Sequence, residues 1–260
     1  MLPIYSKEEI TALDFGLAGK TAIITGGTAG IGKETAEYFL AQGANVVIGG
    51  RNPEVNNIAK KMGGDKAIGV AGDVCDPAHR TALIEAGVKA FGQIDMLVNC
   101  AGIAILGNAE EISEADWSKV IEVNLTANYF MAQAVGKYMI ENKIAGCIVN
   151  VASQGGVIGL DRHSAYCASK GGVITMTKVL ALEWGKYGIR VNAVSPTVVL
   201  TEMGHRAWDG PAGDAFKKEM PSERFAEPEE VSSVIAFLCS KGASMITGHN
   251  LVIDGGFTIK

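Results

Sequence analysis

Residues 20–32 read KTAIITGGTAGIG, a short apolar run that is followed at once by a glycine-rich turn. The run is rich in isoleucine and threonine and predicts a buried strand. Glycines 26, 30 and 32 let the backbone approach a pyrophosphate, and a helix that opens near Ile31 directs its free N–H groups at the phosphates. The alternative is a tight turn without a ligand, but three spaced glycines exceed what such a turn needs. The spacing is not G-x-G-x-x-G, so that fingerprint is not assigned.

Strand and helix patterns alternate along the rest of the chain. Further strands are predicted at 45–48, 66–72, 94–98, 147–152, 189–195 and 249–253, with Pro196 ending regular structure after the sixth strand. The alternation predicts an α/β fold, a single Rossmann-type doubly wound domain with a mostly seven-stranded parallel sheet flanked by helices. Residues 20–260 form this domain after an N-terminal extension at 1–19, and residues 197–227, loop-like or weakly helical, predict a lid over the substrate.

Composition restricts the class of protein. With 260 residues, of which 48% are hydrophobic, the chain can bury a sizeable core. The formal net charge of -5 and the lack of a basic run predict no nucleic-acid or membrane partner, so a small molecule is expected. The five cysteines are scattered, with no C-x-x-C pair, and predict neither a disulfide framework nor a metal site. Neither a signal peptide nor a membrane span is evident, which favours a cytoplasmic location.

A serine, a tyrosine and a lysine follow the fifth predicted strand. Tyr166 and Lys170 lie four residues apart and share a helix face. An ammonium within about 4 to 6 Å favours the phenolate, which makes the tyrosine a usable acid or base near neutral pH. Ser153, at the end of the strand, can hydrogen-bond the same alcohol oxygen. Such spacing alone is more often structural than catalytic, so its meaning depends on the motifs around it.

The end of the second strand bears on the cofactor. In a dinucleotide-binding fold an acidic residue there binds the 2'-hydroxyl of the adenosine ribose, whereas an arginine accommodates a 2'-phosphate. Residues 49–51 read GGR and contain no acid. Arg51 therefore favours NADP, and NAD is the alternative cofactor. Arg51 could also be a solvated surface residue that binds no cofactor.

Taken together, the motifs between residues 20 and 257 resemble the short-chain dehydrogenase/reductase family. Residues 25–32 (TGGTAGIG) look like its T-G-x-x-x-G-x-G turn, and residues 99–102 (NCAG) look like its N-N-A-G motif. A helical pattern from residue 114 to about 142 carries an asparagine on or beside its apolar stripe. Taken alone, such an asparagine is more often a structural residue whose hydrogen bonds are made within the protein. With it, the order and spacing match the family's catalytic tetrad: Asn124, Ser153, Tyr166 and Lys170.

The resemblance implies a role for each of these residues. Tyr166 would be the general acid/base, Ser153 would orient the substrate oxygen, and Lys170 would hold the nicotinamide ribose and lower the pKa of the tyrosine. Asn124 would position a water in a proton relay. Asp73 and Val74 would meet adenine, and Val199 with Thr201 would contact the carboxamide. The predicted cofactor site comprises Gly26, Thr28, Gly30, Ile31, Gly32, Arg51, Asp73, Val74, Asn99, Ala101, Gly102, Tyr166, Lys170, Val199 and Thr201.

Two positions depart from the family pattern. Cys100 replaces the second asparagine of N-N-A-G, and Thr197 replaces the glycine that usually follows the proline. Residues 192–204 (NAVSPTVVLTEMG) and 163–167 (HSAYC) resemble the L-xylulose reductase subgroup, which reduces dicarbonyls and sugars. That subgroup uses NADP, while related bacterial polyol dehydrogenases use NAD. The resemblance implies these substrate contacts: Ser153, Gln154, His163, Tyr166 and, lining the lid, Trp208.

Three functions compete on this basis. The first is an NAD(P)-dependent oxidoreductase that interconverts a secondary alcohol of a small polyol and the corresponding ketone or ketose, as a homotetramer by family similarity. The second is a 3-oxoacyl carrier-protein reductase, which would need basic residues by its pocket, where Lys217 and Lys218 are the only adjacent pair. The third is a dinucleotide-sensing protein without turnover, and the intact Ser153, Tyr166 and Lys170 set disfavours it.

Overall fold

The computed structural model describes residues 5–260, and it confirms the predicted α/β fold. Its strands are β1 (Thr21–Thr25), β2 (Asn45–Gly50), β3 (Ala67–Ala71), β4 (Met96–Asn99), β5 (Cys147–Val151), β6 (Arg190–Pro196) and β7 (Asn250–Ile253). They form one parallel sheet in the order β3-β2-β1-β4-β5-β6-β7. The strand order reverses between β1 and β4, and ligands of open α/β sheets bind outside the carboxyl ends of the strands at such a point.

Helices cover both faces of the sheet. They are α1 (Lys7–Thr11), α2 (Gly30–Ala41), α3 (Val55–Gly63), α4 (Pro77–Phe91), α5 (Glu114–Ile121), α6 (Ala127–Glu141), α7 (Ser164–Trp184), α8 (Glu202–Trp208), α9 (Pro211–Glu219) and α10 (Pro228–Cys239). In β1, Ala22 and Ile24 pack with α2, α3 and α10, while Ile23 packs with α4, α6 and α7. Because side chains alternate along a strand, β1 contributes to two separate apolar cores.

The glycines of the first turn permit close packing. A Cβ atom at Gly27 would lie 2.6 Å from Ile48 Cγ2, and one at Gly32 would lie 2.4 Å from the carbonyl oxygen of Gly26. Both distances are shorter than non-bonded carbon contacts allow. Glycine therefore allows α2 to begin directly against the end of β1.

Three predicted segments differ in detail. The helix predicted at 114–142 is α5 and α6 joined by a π-helical turn, Glu122–Thr126, because one extra residue per turn leaves little trace in the apolar period. The lid segment 197–227, predicted to be loop-like or weakly helical, holds two short helices, α8 and α9. The sixth strand, predicted at 189–195, includes Pro196 as its last residue, paired with Ile253, at a position where a missing N–H is tolerated.

The N-terminal extension packs against the domain. Tyr38 donates a hydrogen bond from its hydroxyl to the carbonyl oxygen of Ile10 at 2.9 Å. Lys7 forms ion pairs with Glu34 of α2 at 2.7 Å and with Glu229 of α10 at 3.3 Å. The first four residues of the predicted extension lie outside the described part of the chain.

Candidate active site

The glycine-rich turn and the NCAG loop are fastened to each other. The hydroxyl of Thr25 accepts hydrogen bonds from the N–H groups of Cys100 at 3.0 Å and Ala101 at 3.1 Å. A Cβ atom at Gly26 would lie 3.1 Å from the Cα of Ala101. Two segments of the predicted cofactor site, 26–32 and 99–102, therefore lie side by side at the carboxyl ends of β1 and β4.

The start of α2 fits a phosphate group. Its N-cap, Ala29, makes no side-chain hydrogen bond to the first turn, so no side chain caps those N–H groups. Gly30 has a φ of +55°, and a Cβ atom placed there would meet only Thr201, at 3.7 Å or more. Uncapped N–H groups at the positive end of a helix bind anions. The turn thus fits a dinucleotide pyrophosphate, with Thr201 at its edge.

The adenosine end of the predicted site lies beyond β2 and β3. Arg51 is exposed directly after β2, and Asp73 follows β3, the neighbouring strand. Asp73 accepts a hydrogen bond from the Cys75 N–H at 2.9 Å, which lowers the pKa of Asp73, with smaller contributions from nearby Lys119 and Arg51. Val74 is buried, and its side chain packs into the core. The geometry brings Arg51 and Asp73 to the same edge of the sheet.

The four tetrad residues converge where β5 ends and α7 begins. Lys170 donates a hydrogen bond from Nζ to the carbonyl oxygen of Val151 at 2.8 Å, and its Nζ lies 5.7 Å from the ring centroid of Tyr166. Ser153 lies near the phenol of Tyr166, and the Ser153 hydroxyl accepts a hydrogen bond from the Gly155 N–H at 3.1 Å. A Cβ atom at Gly102 would lie 3.3 Å from Asn124 Oδ1 and 3.5 Å from Lys170 Nζ, so the NCAG loop borders the tetrad.

Asn124 lies within the π-helical turn and is fully buried. Its Oδ1 accepts a hydrogen bond from the Ile103 N–H at 2.8 Å, and its Nδ2 donates to the Ile103 carbonyl at 2.9 Å and to Ser169 Oγ at 3.1 Å. Ser169 in turn donates to the carbonyl of Tyr166 at 2.7 Å. The Asn124 side chain thus connects the end of the NCAG loop to α7. Its expected role in positioning a water stays a prediction.

Burial dominates the electrostatics of the catalytic pair. It raises the pKa of Tyr166 above the ordinary value, an effect that nearby Ser153 opposes. It also lowers the pKa of Lys170 from 10.5 to about 8. In this structure the ammonium of Lys170 is hydrogen-bonded to the Val151 carbonyl, and the expected lowering of the tyrosine's pKa by the lysine stays a prediction. Both shifts favour uncharged side chains.

Three of the predicted substrate residues lie outside the tetrad, and two of these three are next to it. Gln154 follows Ser153 directly and is 4% exposed. His163 packs edge-on against Tyr166, with ring centroids 5.9 Å apart, and lines a cavity of about 340 Å³ between residues 107–110 and 160–164. Trp208 instead stacks on Phe216 at 5.1 Å within the lid. Its observed ring contacts stabilise the lid.

Several supporting residues could not be identified from single motifs. Asn99 was predicted at the cofactor, yet its side chain donates to the Asn128 carbonyl at 3.1 Å and to Asn150 Oδ1 at 3.0 Å in a buried network below the loop. Asn128 donates to the Asn124 carbonyl at 2.6 Å. The spacing of Asn124 and Asn128, one helical turn apart, is a sequence signal for this network. Ser169 and the Val151 carbonyl carried no such signal.

Between residues 5 and 260, no helix is long and apolar enough to cross a membrane. Within the same range, no group of three or more His, Cys, Asp and Glu side chains is arranged to hold a metal ion. The thiol of Cys100, which replaces an asparagine, is kept protonated because burial raises its pKa to about 11.

Comparisons with known proteins agree with this geometry. Residues 26–258 match a protein-family model described as enoyl-(acyl carrier protein) reductase. D-threitol dehydrogenase of Mycolicibacterium smegmatis is 50% identical over 95% of this chain and 96% of its own. NAD-dependent glycerol dehydrogenase of Listeria innocua is 45% identical over 95% of this chain and 97% of its own. L-xylulose reductase of Bos taurus is 38% identical over 94% of this chain and 99% of its own. The crystal structure of a short chain dehydrogenase from Bacillus anthracis superposes with a TM-score of 0.84 at 34% identity, covering 92% of this chain and 96% of that one.

Proposed function

Because the chain belongs to the short-chain dehydrogenase/reductase family, we propose that it interconverts a secondary alcohol of a small polyol and the corresponding ketone. The observation that carries this proposal is the placement of Tyr166 next to Ser153 and Lys170, near a turn whose uncapped N–H groups fit a phosphate. An acid/base next to a dinucleotide crevice is the arrangement that alcohol oxidation requires.

The residues of this chain handle the proton and the orientation. A bound NAD(P) supplies or accepts the hydride. Ser153 donates a hydrogen bond to the substrate oxygen and holds it next to the phenol of Tyr166. In oxidation, the alcohol proton passes to the deprotonated Tyr166 while the carbon loses its hydride; in reduction, Tyr166 returns that proton to the oxygen. Lys170, whose Nζ lies 5.7 Å from the centroid of the Tyr166 ring, would hold the nicotinamide ribose beside the phenol, as the family resemblance implies.

The polyol class is supported by relatives whose names specify threitol, glycerol and L-xylulose. Polar side chains at the tetrad, those of Gln154 and His163, suit a substrate with several hydroxyls. The acyl-carrier alternative receives less support, because Lys217 is paired with Asp214 at 3.2 Å and lies over the Phe225 ring at 5.3 Å. That lysine is therefore engaged within the lid.

A substrate panel tests this proposal. We expect kcat/KM for reduction of at least one ketose of three to five carbons to exceed that for reduction of an acetoacetyl thioester by about tenfold or more, a difference of about 1.4 kcal/mol in transition-state binding. The ketoses and the thioester are assayed with NADH and with NADPH, and the polyols glycerol, threitol, erythritol, xylitol and arabitol are assayed for oxidation with NAD and with NADP. A clear preference for the thioester would favour the carrier-protein reductase. No turnover of any alcohol or ketone would favour a sensor.

For the cofactor we propose NADP, from the exposed Arg51 and the absence of an acid in residues 49–51. The NAD-dependent glycerol dehydrogenase relative points to the alternative. An arginine binds a phosphate through charge-assisted bonds worth about 1.5 to 3 kcal/mol each. We therefore expect Arg51→Ala to lower the ratio of NADP to NAD efficiency by about tenfold or more.

The measurement is kcat/KM for both cofactors in the wild type and in Arg51→Ala. Lys60→Ala is the matched control, since it removes one exposed positive charge from α3. It should leave the ratio unchanged. A wild type that prefers NAD, or an unchanged ratio in Arg51→Ala, would contradict the proposal. The homotetramer and the cytoplasmic location stay predictions from the sequence.

A further inference from the structure

The two ends of the lid segment are paired with each other. The Leu200 N–H donates to the Ala226 carbonyl at 2.9 Å, and the Ala226 N–H donates to the Val198 carbonyl at 3.1 Å. Between these ends lie α8 and α9. Thr201, the N-cap of α8, would be 3.7 Å from a Cβ atom placed at Gly30. The lid segment therefore has a fixed base beside the first glycine turn, and α8 with α9 extends from that base.

Four aromatic rings connect α8 and α9 to the carboxyl end of the chain. Trp208 of α8 stacks on Phe216 of α9 at 5.1 Å. Both rings pack against Phe225, at 6.0 and 5.7 Å. The fourth ring is Phe257, which follows β7 and meets Phe216 edge-on at 4.8 Å. The position of the two lid helices thus depends on a residue outside the lid segment.

The last residues of the chain form a turn that brings them to the lid segment. Gly255 and Gly256 have φ angles of +59° and +87°, in the region that favours glycine. The Asp254 carboxylate accepts hydrogen bonds from the N–H groups of Gly256 at 2.9 Å and Thr258 at 2.7 Å. The Ser222 N–H donates to the Gly255 carbonyl at 3.1 Å. This turn is therefore fixed internally and attached to the end of the lid segment.

Two side chains after the turn contact α9, and they differ in strength. Phe257 is 9% exposed, and its ring is buried in the aromatic cluster. Lys260 pairs with Glu219 at 3.0 Å, but both side chains are exposed. An exposed ion pair contributes little, whereas a buried aromatic ring contributes strongly to packing. Phe257 is therefore the main contact between the carboxyl end and α9.

We propose that residues 254–260 form a latch that holds α8 and α9 against the active site, with Phe257 as its positioning residue. Phe257 acts through Phe216 of the lid. Ile158, which lies between Ser153 and the start of α7, packs against the same cluster and brings it to the catalytic loop. Without the latch, the lid helices would be open for more of the time. Apparent substrate affinity would then fall, because it scales with the population of the competent state.

Trypsin cleavage of the native protein tests the latch without any substrate. Arg206, Lys217 and Lys218 are cleavage sites within α8 and α9. Cleavage of a native segment follows the population of its open form. Phe257→Ala should therefore increase the cleavage rate at these sites by about tenfold or more. Cleavage after Lys137, exposed on α6, should not change, and this separates lid opening from a loss of global stability.

Three further variants define the contact. Ile259→Ala is the matched control, because Ile259 is 86% exposed in the same segment, and its lid cleavage should stay within about twofold of the wild type. Phe216→Ala should act like Phe257→Ala, and the double variant should be little faster than either, since both remove one contact. Phe257→Leu keeps an apolar side chain and should raise lid cleavage by only about threefold. It decides the question if Phe257→Ala does not fold.

The kinetic part of this test rests on the proposed function, whereas the cleavage part does not. Phe257→Ala should raise KM for the best polyol by about threefold or more and leave kcat within about threefold, because Ser153, Tyr166 and Lys170 lie outside the lid segment. Unchanged lid cleavage, an equal increase after Lys137, or a lower kcat with an unchanged KM would overturn the latch. A wild type that oxidises no polyol would overturn the proposed function alone, since the cleavage pattern still reports the latch.

Discussion

Replacing Tyr166 by phenylalanine is expected to reduce kcat by at least about a hundredfold, while the Kd of the cofactor changes little. The substitution removes a single hydroxyl and retains the ring that packs against His163 at 5.9 Å. Acid/base catalysis by a positioned side chain is worth about a hundred- to ten-thousandfold. Ser153 and Lys170 remain, but neither is placed to exchange a proton with the alcohol in the proposed mechanism. The loss should therefore appear in kcat for every substrate.

The measurement combines kcat for the best polyol with a fluorescence titration of the cofactor. Tyr187→Phe is the matched control, because Tyr187 is 46% exposed at the end of α7 and removing its hydroxyl should not affect turnover. Thermal unfolding establishes that both variants are folded. A Tyr166→Phe variant that keeps a tenth or more of the wild-type kcat would show that another group moves the proton.

The parts of the fold that the sequence predicted are those with local signals. Each strand is a short apolar run, and the parallel arrangement of the strands follows from their alternation with helices. The π-helical turn at Asn124 could not be predicted, because its extra residue changes the apolar period only slightly. The lid helices α8 and α9 were predicted only as a loop-like or weakly helical segment, since Pro211 and nearby glycines are typical of loops. Here the proline begins α9, where its missing N–H is no disadvantage.

The candidate site divides in the same way. Residues carried by motifs, such as Ser153, Tyr166 and Lys170, were predicted individually, and the fold brings them together. The partners that hold them were beyond prediction, because a backbone carbonyl, such as that of Val151, has no sequence signature. Unpaired atoms, such as the Thr197 hydroxyl, become visible only when every neighbour is known.

The buried lysine links catalysis to stability. Folding lowers the pKa of Lys170 from 10.5 to about 8 because burial penalises the charged form. Between these two pH values the unfolded chain binds the proton and the folded chain does not. The stability of the folded state should therefore rise with pH across that interval, and the cost of the buried charge is fully present below about pH 8. Such a cost is tolerable where the group has a function.

Lys170→Met is accordingly expected to lose catalysis and to gain relative stability at neutral pH. Methionine fills a similar volume but carries no charge, so kcat should fall by at least about a hundredfold, and loss of the proposed ribose contact should raise the cofactor Kd by about tenfold. The difference in Tm, variant minus wild type, should be larger at about pH 7 than at about pH 9.5, where the wild-type lysine is neutral. Lys178→Met, an exposed lysine on the same helix, should leave kcat, Kd and this pH dependence unchanged.

If the Tm difference for Lys170→Met did not vary with pH, the lysine would not be charged at neutral pH in the folded enzyme, or its pKa would not be lowered. A lower kcat with an unaltered cofactor Kd would show that Lys170 does not contact the cofactor ribose.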